Sequence, residues 1–188
     1  MGGKHTAADA TRRHRASRLT LPMTSPPSEA ELQVRPLAPQ DLDLICRHRM
    51  EMFRDAGTTE EVLAVMTEHF RPWLQPRLDD NSYYGFILID DGEPVASIGL
   101  MSIDWPPHPA HPTQAQRGYV LNLFVEASHR KRGLGGELMR LAEAQFAERG
   151  LDFAILHTTE KGQSLYRSLG WTSTTERAKT ITPQIRPV

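Results

Sequence analysis

Arg130-Lys131-Arg132-Gly133-Leu134-Gly135-Gly136 is the stretch whose residue types and spacing point most directly to chemistry. Three cations are followed by three glycines, and the chemistry that combination offers is anion binding. A helix starting at Leu134 would present unpaired N–H groups and a partial positive charge at its first turn. Glycines at 133, 135 and 136 let main chain approach a ligand closely, because no Cβ intervenes. Arg130, Lys131 and Arg132 add full charges, so a phosphate or pyrophosphate is the natural guest. The same residues also suit a tight strand-to-helix turn with a solvated basic face. No Gly-Lys-Ser/Thr follows the glycines, as a nucleoside-triphosphate loop requires, and Leu138 stands where a dinucleotide fingerprint needs its third glycine.

The elements that must position this loop are legible on both sides of it. Tyr119 to Val125 is a nearly unbroken apolar run rich in β-formers, as in a buried strand. Leu134, Leu138, Leu141, Ala142 and Phe146 recur at helical spacing, and Gly150 is placed to end that helix. Upstream, Leu32–Leu37 alternates and reads as a first strand, limited to an edge or strand end by Pro36. Pro39-Gln40-Asp41 opens a helix with Leu42, Leu44, Ile45, Met50 and Phe53 on its apolar face. A second helix follows a capping box of Thr58 with Glu61, and Pro72 and Pro76 are expected to end it. Tyr83–Ile89 and Pro94–Met101 flank Asp90-Asp91-Gly92 as a hairpin. Downstream lie a strand at Phe153–His157, a short helix from about Lys161 to Ser168, and a further strand after Trp171.

At 188 residues the chain suits one domain with a sizeable core. The formal net charge of −1 favours no polyanion partner, and no apolar run approaches the roughly 18–20 residues of a membrane span. Cys46 is the single cysteine, which excludes an internal disulfide and a cysteine-rich metal site, and makes a reducing cytoplasm the default compartment. Residues 1–28 carry Lys4, Arg12, Arg13, Arg15 and Arg18 with few large apolar residues. They read as a disordered basic arm or an upstream extension, with Met23 as an alternative start. The arm lacks interleaved aromatics, so specific nucleic-acid binding is not expected. Asp104, His108 and His111 cluster on a proline-rich loop without a compact further ligand set, so no metal is expected there.

The loop Arg130–Gly135 resembles the R/Q-x-x-G-x-G/A segment of the GNAT superfamily of acyl-CoA-dependent N-acyltransferases. Ser164-Leu165-Tyr166-Arg167-Ser168-Leu169-Gly170-Trp171 resembles a second box of that family, A-x-x-L-Y-x-x-x-G-F, with Trp171 in the aromatic place. Two such boxes, separated by one helix and one strand, identify residues 29–188 as a GNAT domain. The resemblance implies an α/β chain with a twisted mixed sheet flanked by helices, and acetyl-CoA as co-substrate. It places the main chain of Leu123, Phe124 and Val125 along the acyl-pantetheine arm, and Arg130, Lys131, Arg132, Gly133, Leu134, Gly135 and Gly136 at the pyrophosphate. Thr159 stands where many members have an asparagine on the cofactor arm. It also implies a small-molecule or peptide amine as acceptor, and often a dimer, with the segment from Thr172 as a place for an exchanged strand.

Acyl transfer from a thioester to an amine needs the donor held still, an acid for the departing thiolate and a path for the ammonium proton. By the resemblance Tyr166 sits beside the sulfur, and a phenol suits a thiolate leaving group, so Tyr166 is the expected general acid. Packing against the cofactor arm is its alternative role. The base is open. The central strand offers only Asn122 where many members carry glutamate, which leaves His157, Glu51, His48 or a water chain. Arg47, Arg49 and Arg54 suit either a carboxylate-bearing acceptor or a solvated helix face. A non-catalytic acyl-CoA-binding regulatory module would keep the loop and dispense with Tyr166.

Overall fold

The computed structural model describes residues 32–179. The expected N-terminal arm, and the part from 180 onward of the segment from Thr172 in which an exchanged strand was expected, lie outside them. In chain order the elements are β1 (Gln33–Pro36), α1 (Leu42–Asp55), α2 (Glu60–Asp79), β2 (Tyr83–Asp90), β3 (Glu93–Asp104), β4 (Gln116–Val125), α3 (Leu134–Glu148), β5 (Ala154–Leu156) and α4 (Gln163–Ser168). The strands form one sheet in sequence order. β1 to β4 pair antiparallel, and β5 joins β4 in parallel.

A layer of helix covers each face. α3 lays Leu134, Leu138, Met139, Ala142 and Phe146 onto Tyr84, Leu88, Ile98, Leu100 and Val120 of the sheet. On the opposite face, Ile45 and Cys46 of α1 meet Phe70, Leu74 and Leu78 of α2 above Tyr83, Met101 and Leu121. Cys46 is therefore a buried core residue, and burial raises its thiol pKa, which disfavours thiolate chemistry. The Asp91-Gly92 turn has φ values of 50° and 83°, the left-handed pair that suits a two-residue hairpin.

Three expectations differ. α2 does not stop at its prolines; Pro72 and Pro76 lie inside it. Each removes a helix N–H and costs about 3 kcal/mol in an isolated helix. Leu63, Phe70, Leu74 and Leu78 are buried on one face, and at about 1.5–3 kcal/mol each their burial offsets that cost. The helix cap is Thr59 rather than Thr58. No strand forms over 171–179, where a further one was expected after Trp171.

The pairing between β4 and β5 runs only from Gly118↔Ala154 to Val120↔Leu156. Beyond Val120, β4 has no strand on that side among the described residues. One residue further it bulges: Gly99 faces Leu121 while Ser97 faces Phe124, so β4 carries one extra residue between those pairs. Asn122 sits in the bulge at φ 55°, a left-handed conformation that asparagine tolerates better than most residues. The result is a wedge-shaped opening in the sheet, with the remainder of β4 as one wall and α4, which follows β5, on the other.

Candidate active site

A cavity of about 370 Å³ lies at this opening. Its polar lining is Arg49, Tyr119, Asn122, His157 and Tyr166; its apolar lining includes Met52, Phe53, Phe70, Trp73, Met101 and Leu123. Tyr166, His157 and Leu123, chosen from distant parts of the sequence, are thus brought to one space. No aspartate or glutamate of the described residues lines it.

Tyr166 is half-buried on α4 and meets Trp171 edge-on, with ring centroids 6.5 Å apart. Burial raises its pKa above that of a free phenol, which keeps the hydroxyl protonated at neutral pH. His157 follows β5 and is exposed; its Nδ1 lies 2.9 Å from the Tyr119 hydroxyl. Thr159 is exposed at the start of the turn before α4, and its side chain makes no capping hydrogen bond.

Asn122 is more than a residue that cannot take a proton. Its Nδ2 donates to the Tyr83 hydroxyl at 2.8 Å, and its Oδ1 accepts from Arg49 Nη1 at 2.5 Å. Tyr83 is fully buried, and its hydroxyl fits only because position 99 is glycine: a Cβ there would lie 1.9 Å from that oxygen. The bulge, the wall strand and the floor of the cavity are therefore tied together by one hydrogen-bonded chain. Composition and spacing carry no signal of it, since it depends on a single left-handed residue inside an apolar run.

The basic loop leaves the same end of β4. Gly133 is the α3 N-cap at φ 83°, a conformation costly for any residue with a Cβ, and no side chain caps the helix. The first intrahelical bond is Glu137 N–H to Gly133 C=O, 3.1 Å. The N–H groups of the preceding turn have no acceptor inside the helix and can hold an anion. The three glycines differ in role. A Cβ on Gly135 would sit 3.2 Å from Leu165 Cδ2, so its smallness lets α3 approach α4, the element that carries Tyr166. A Cβ on Gly136 would have room, its nearest neighbour being Arg140 Nη1 at 3.7 Å.

The cations also separate. Arg130 binds Asp55 at 2.5 Å and donates Nε–H to the Val125 carbonyl at 2.9 Å, bracing the loop against α1. Arg132 pairs with Asp90 at 3.0 Å. Lys131, at φ 63°, has no ion pair among the described residues. Phe124 faces away from the cavity, its ring 4.7 Å from that of His48.

Neither His48 nor Glu51 lines the cavity. Glu51 is bound by Arg54, whose guanidinium also holds Glu60. His48 is buried, its Nδ1 2.7 Å from Ser97 Oγ and its Nε2 3.6 Å from Glu126 Oε1. Burial, with Arg47 beside it, lowers its pKa to about 4. The unfolded chain therefore binds a proton between about pH 6.5 and 4 that the native state refuses. Stability is full above pH 6.5 and falls by about 3 kcal/mol on going down to pH 4, at 1.4 kcal/mol per unit. Urea titrations at pH 7 and pH 5 should show about 2 kcal/mol of that loss, and His48→Gln should flatten it. An equal slope in the variant would assign the acid sensitivity elsewhere.

The fold is thus an α/β domain with a mixed sheet that opens between β4 and β5, and a basic loop and glycine-started helix that follow β4. The chain belongs to the GNAT acetyltransferase family: the model of the Acetyltransferase (GNAT) family matches residues 43–171. Among solved structures it is similar to a GCN5-related N-acetyltransferase of Ralstonia eutropha JMP134, at 56% identity and TM-score 0.79, over 80% of this chain and 99% of that one. A predicted acetyltransferase of Clostridium acetobutylicum, solved with acetyl-CoA, shares the fold at 19% identity and TM-score 0.73, over 80% and 96%. An aminoglycoside acetyltransferase from an uncultured soil metagenomic sample does so at 18% and 0.60, over 81% and 99%. No curated protein matches the chain significantly in sequence. Among the described residues no helix is long and apolar enough to cross a membrane.

Proposed function

We propose that the protein is an N-acetyltransferase that moves the acetyl group of acetyl-CoA to the primary amine of a small molecule or peptide. The observation that carries this reading is a cavity that holds Tyr166 beside the stretch of β4 at Leu123, which has no strand partner on that side among the described residues, together with α3, whose uncapped N-terminus follows that strand and packs through Gly135 against Leu165 of α4. The α3 turn with Lys131 suits the pyrophosphate, and the edge at Leu123 suits the amide-bearing arm. Acetyl-CoA supplies the activated thioester.

Direct attack forms a C–N bond and breaks the C–S bond. The Tyr166 hydroxyl gives its proton to the departing sulfur, and its raised pKa keeps that proton available. The amine's proton leaves by His157 or through water. For His157 to serve, Nδ1–H must donate to the Tyr119 oxygen, which leaves Nε2 as the acceptor. A regulatory acyl-CoA binder would have no use for a protonated phenol in the cavity, so Tyr166 favours the enzyme.

The test is thiol release from acetyl-CoA with a panel of amines, with the acetylated product identified by mass spectrometry. Amine-dependent release supports the reading. Binding of acetyl-CoA without release to any amine would favour the regulatory module.

A further inference from the structure

Three arginines of α1 were candidates for meeting an acidic acceptor, and the structure separates them. Arg47 is bound by Glu126 at 2.5 Å and Arg54 by Glu51 and Glu60. Arg49 alone of the three has no carboxylate partner among the described residues. It lines the cavity, and its Nε is buried without any hydrogen-bond partner. Its Nη1 is spent on Asn122, and its Nη2 makes no hydrogen bond among the described residues. The Phe70 and Phe53 rings stack on it, with Cζ 4.5 and 4.9 Å from their centroids. The guanidinium is thus oriented by two rings and one amide, in a cavity with no acidic side chain among the described residues, and its charge is left over.

A half-buried, fixed and unneutralised cation in a ligand cavity is costly to keep unless something anionic comes to it. Burial shifts its pKa downward, in keeping with the missing counterion. Resting on the acetyltransferase reading, we infer that Arg49 is a specificity-determining residue that receives the carboxylate of the acceptor, and that the acceptor is a small apolar amino acid or a close analogue. Phe53, Phe70, Trp73, Met52 and Met101 supply the apolar surface for its body. The same charge disfavours polycationic acceptors. It also lowers the pKa of an amine bound beside it, which eases loss of the ammonium proton where no carboxylate base is present.

The test compares thiol release from acetyl-CoA by each proteinogenic amino acid with release by the corresponding carboxamide. For wild type the best acid should exceed its amide in kcat/KM by about 100-fold, the scale of a hydrogen-bonded charge pair. Arg49→Met should bring that ratio to near one, and Arg49→Lys should restore part of it. The ratio is measured within one preparation, so partial misfolding of a variant does not move it. Equal use of acids and amides by wild type, or a preference surviving in Arg49→Met, would overturn the assignment. Release with simple amines only would overturn it while sparing the acetyltransferase reading; no release with any amine would overturn both.

Discussion

Replacing Tyr166 by phenylalanine should lower kcat about 100- to 1,000-fold while leaving KM for acetyl-CoA nearly unchanged, the scale expected when one general acid is removed. Phenylalanine keeps the ring that packs edge-on against Trp171, so α4 and the wall it forms should survive. What is lost is the proton. A thiolate expelled without an acid leaves more slowly, and only the transition state feels the difference. The sign of the pH dependence follows from the same environment. Because burial raises the Tyr166 pKa, the acid form persists through neutral pH and beyond the ordinary phenol range. An alkaline decline in kcat assignable to this group should therefore begin only above about pH 10. Unchanged turnover by Tyr166→Phe at saturating donor would reduce the residue to packing.

The second large effect is expected at Gly136. Aspartate there has space, since the nearest atom to its Cβ is the mobile end of Arg140. A carboxylate in the first turn of α3 also complements the helix dipole, so the folded protein should be as stable as wild type or slightly more so. The same carboxylate faces the N–H groups proposed to hold the pyrophosphate. Like charges about 5 Å apart at an effective dielectric of about 20 repel by roughly 3 kcal/mol, which corresponds to about a 100-fold loss of acetyl-CoA affinity. Stability and affinity should thus move in opposite directions, read by thermal melting and by titration. Unaltered affinity would place the phosphates elsewhere. The basic side chains are a poorer target: Arg130 and Arg132 already hold Asp55 and Asp90, and removing them would loosen the loop as well as its charge.

Much of this architecture was legible because local patterns agreed with one another. The strand, glycine turn and helix from Tyr119 to Phe146 formed as the apolar spacing required, and the Asp91-Gly92 hairpin as its turn chemistry required. The pairing of Tyr166 with His157 at one cavity was reachable only through the family resemblance. Periodicity places each on its element and says nothing about their neighbours. α2 was misread because proline is a local signal and the buried Leu63–Leu78 face is a tertiary one. The deepest omission is Asn122. Its left-handed backbone makes the bulge, and its amide holds Tyr83 and Arg49, yet in sequence it is one polar residue in a strand. Arg49 differs from Arg47 and Arg54 only in what the fold sets beside it.

The most direct measurement is a calorimetric titration of the full chain with acetyl-CoA. One site per chain with Kd on the order of 10 μM is the predicted result, in line with a phosphate cradle and a strand edge acting together. Absence of heat and of any competing binding signal up to millimolar donor would contradict the account, because the loop at Gly133 would then be a turn and nothing more.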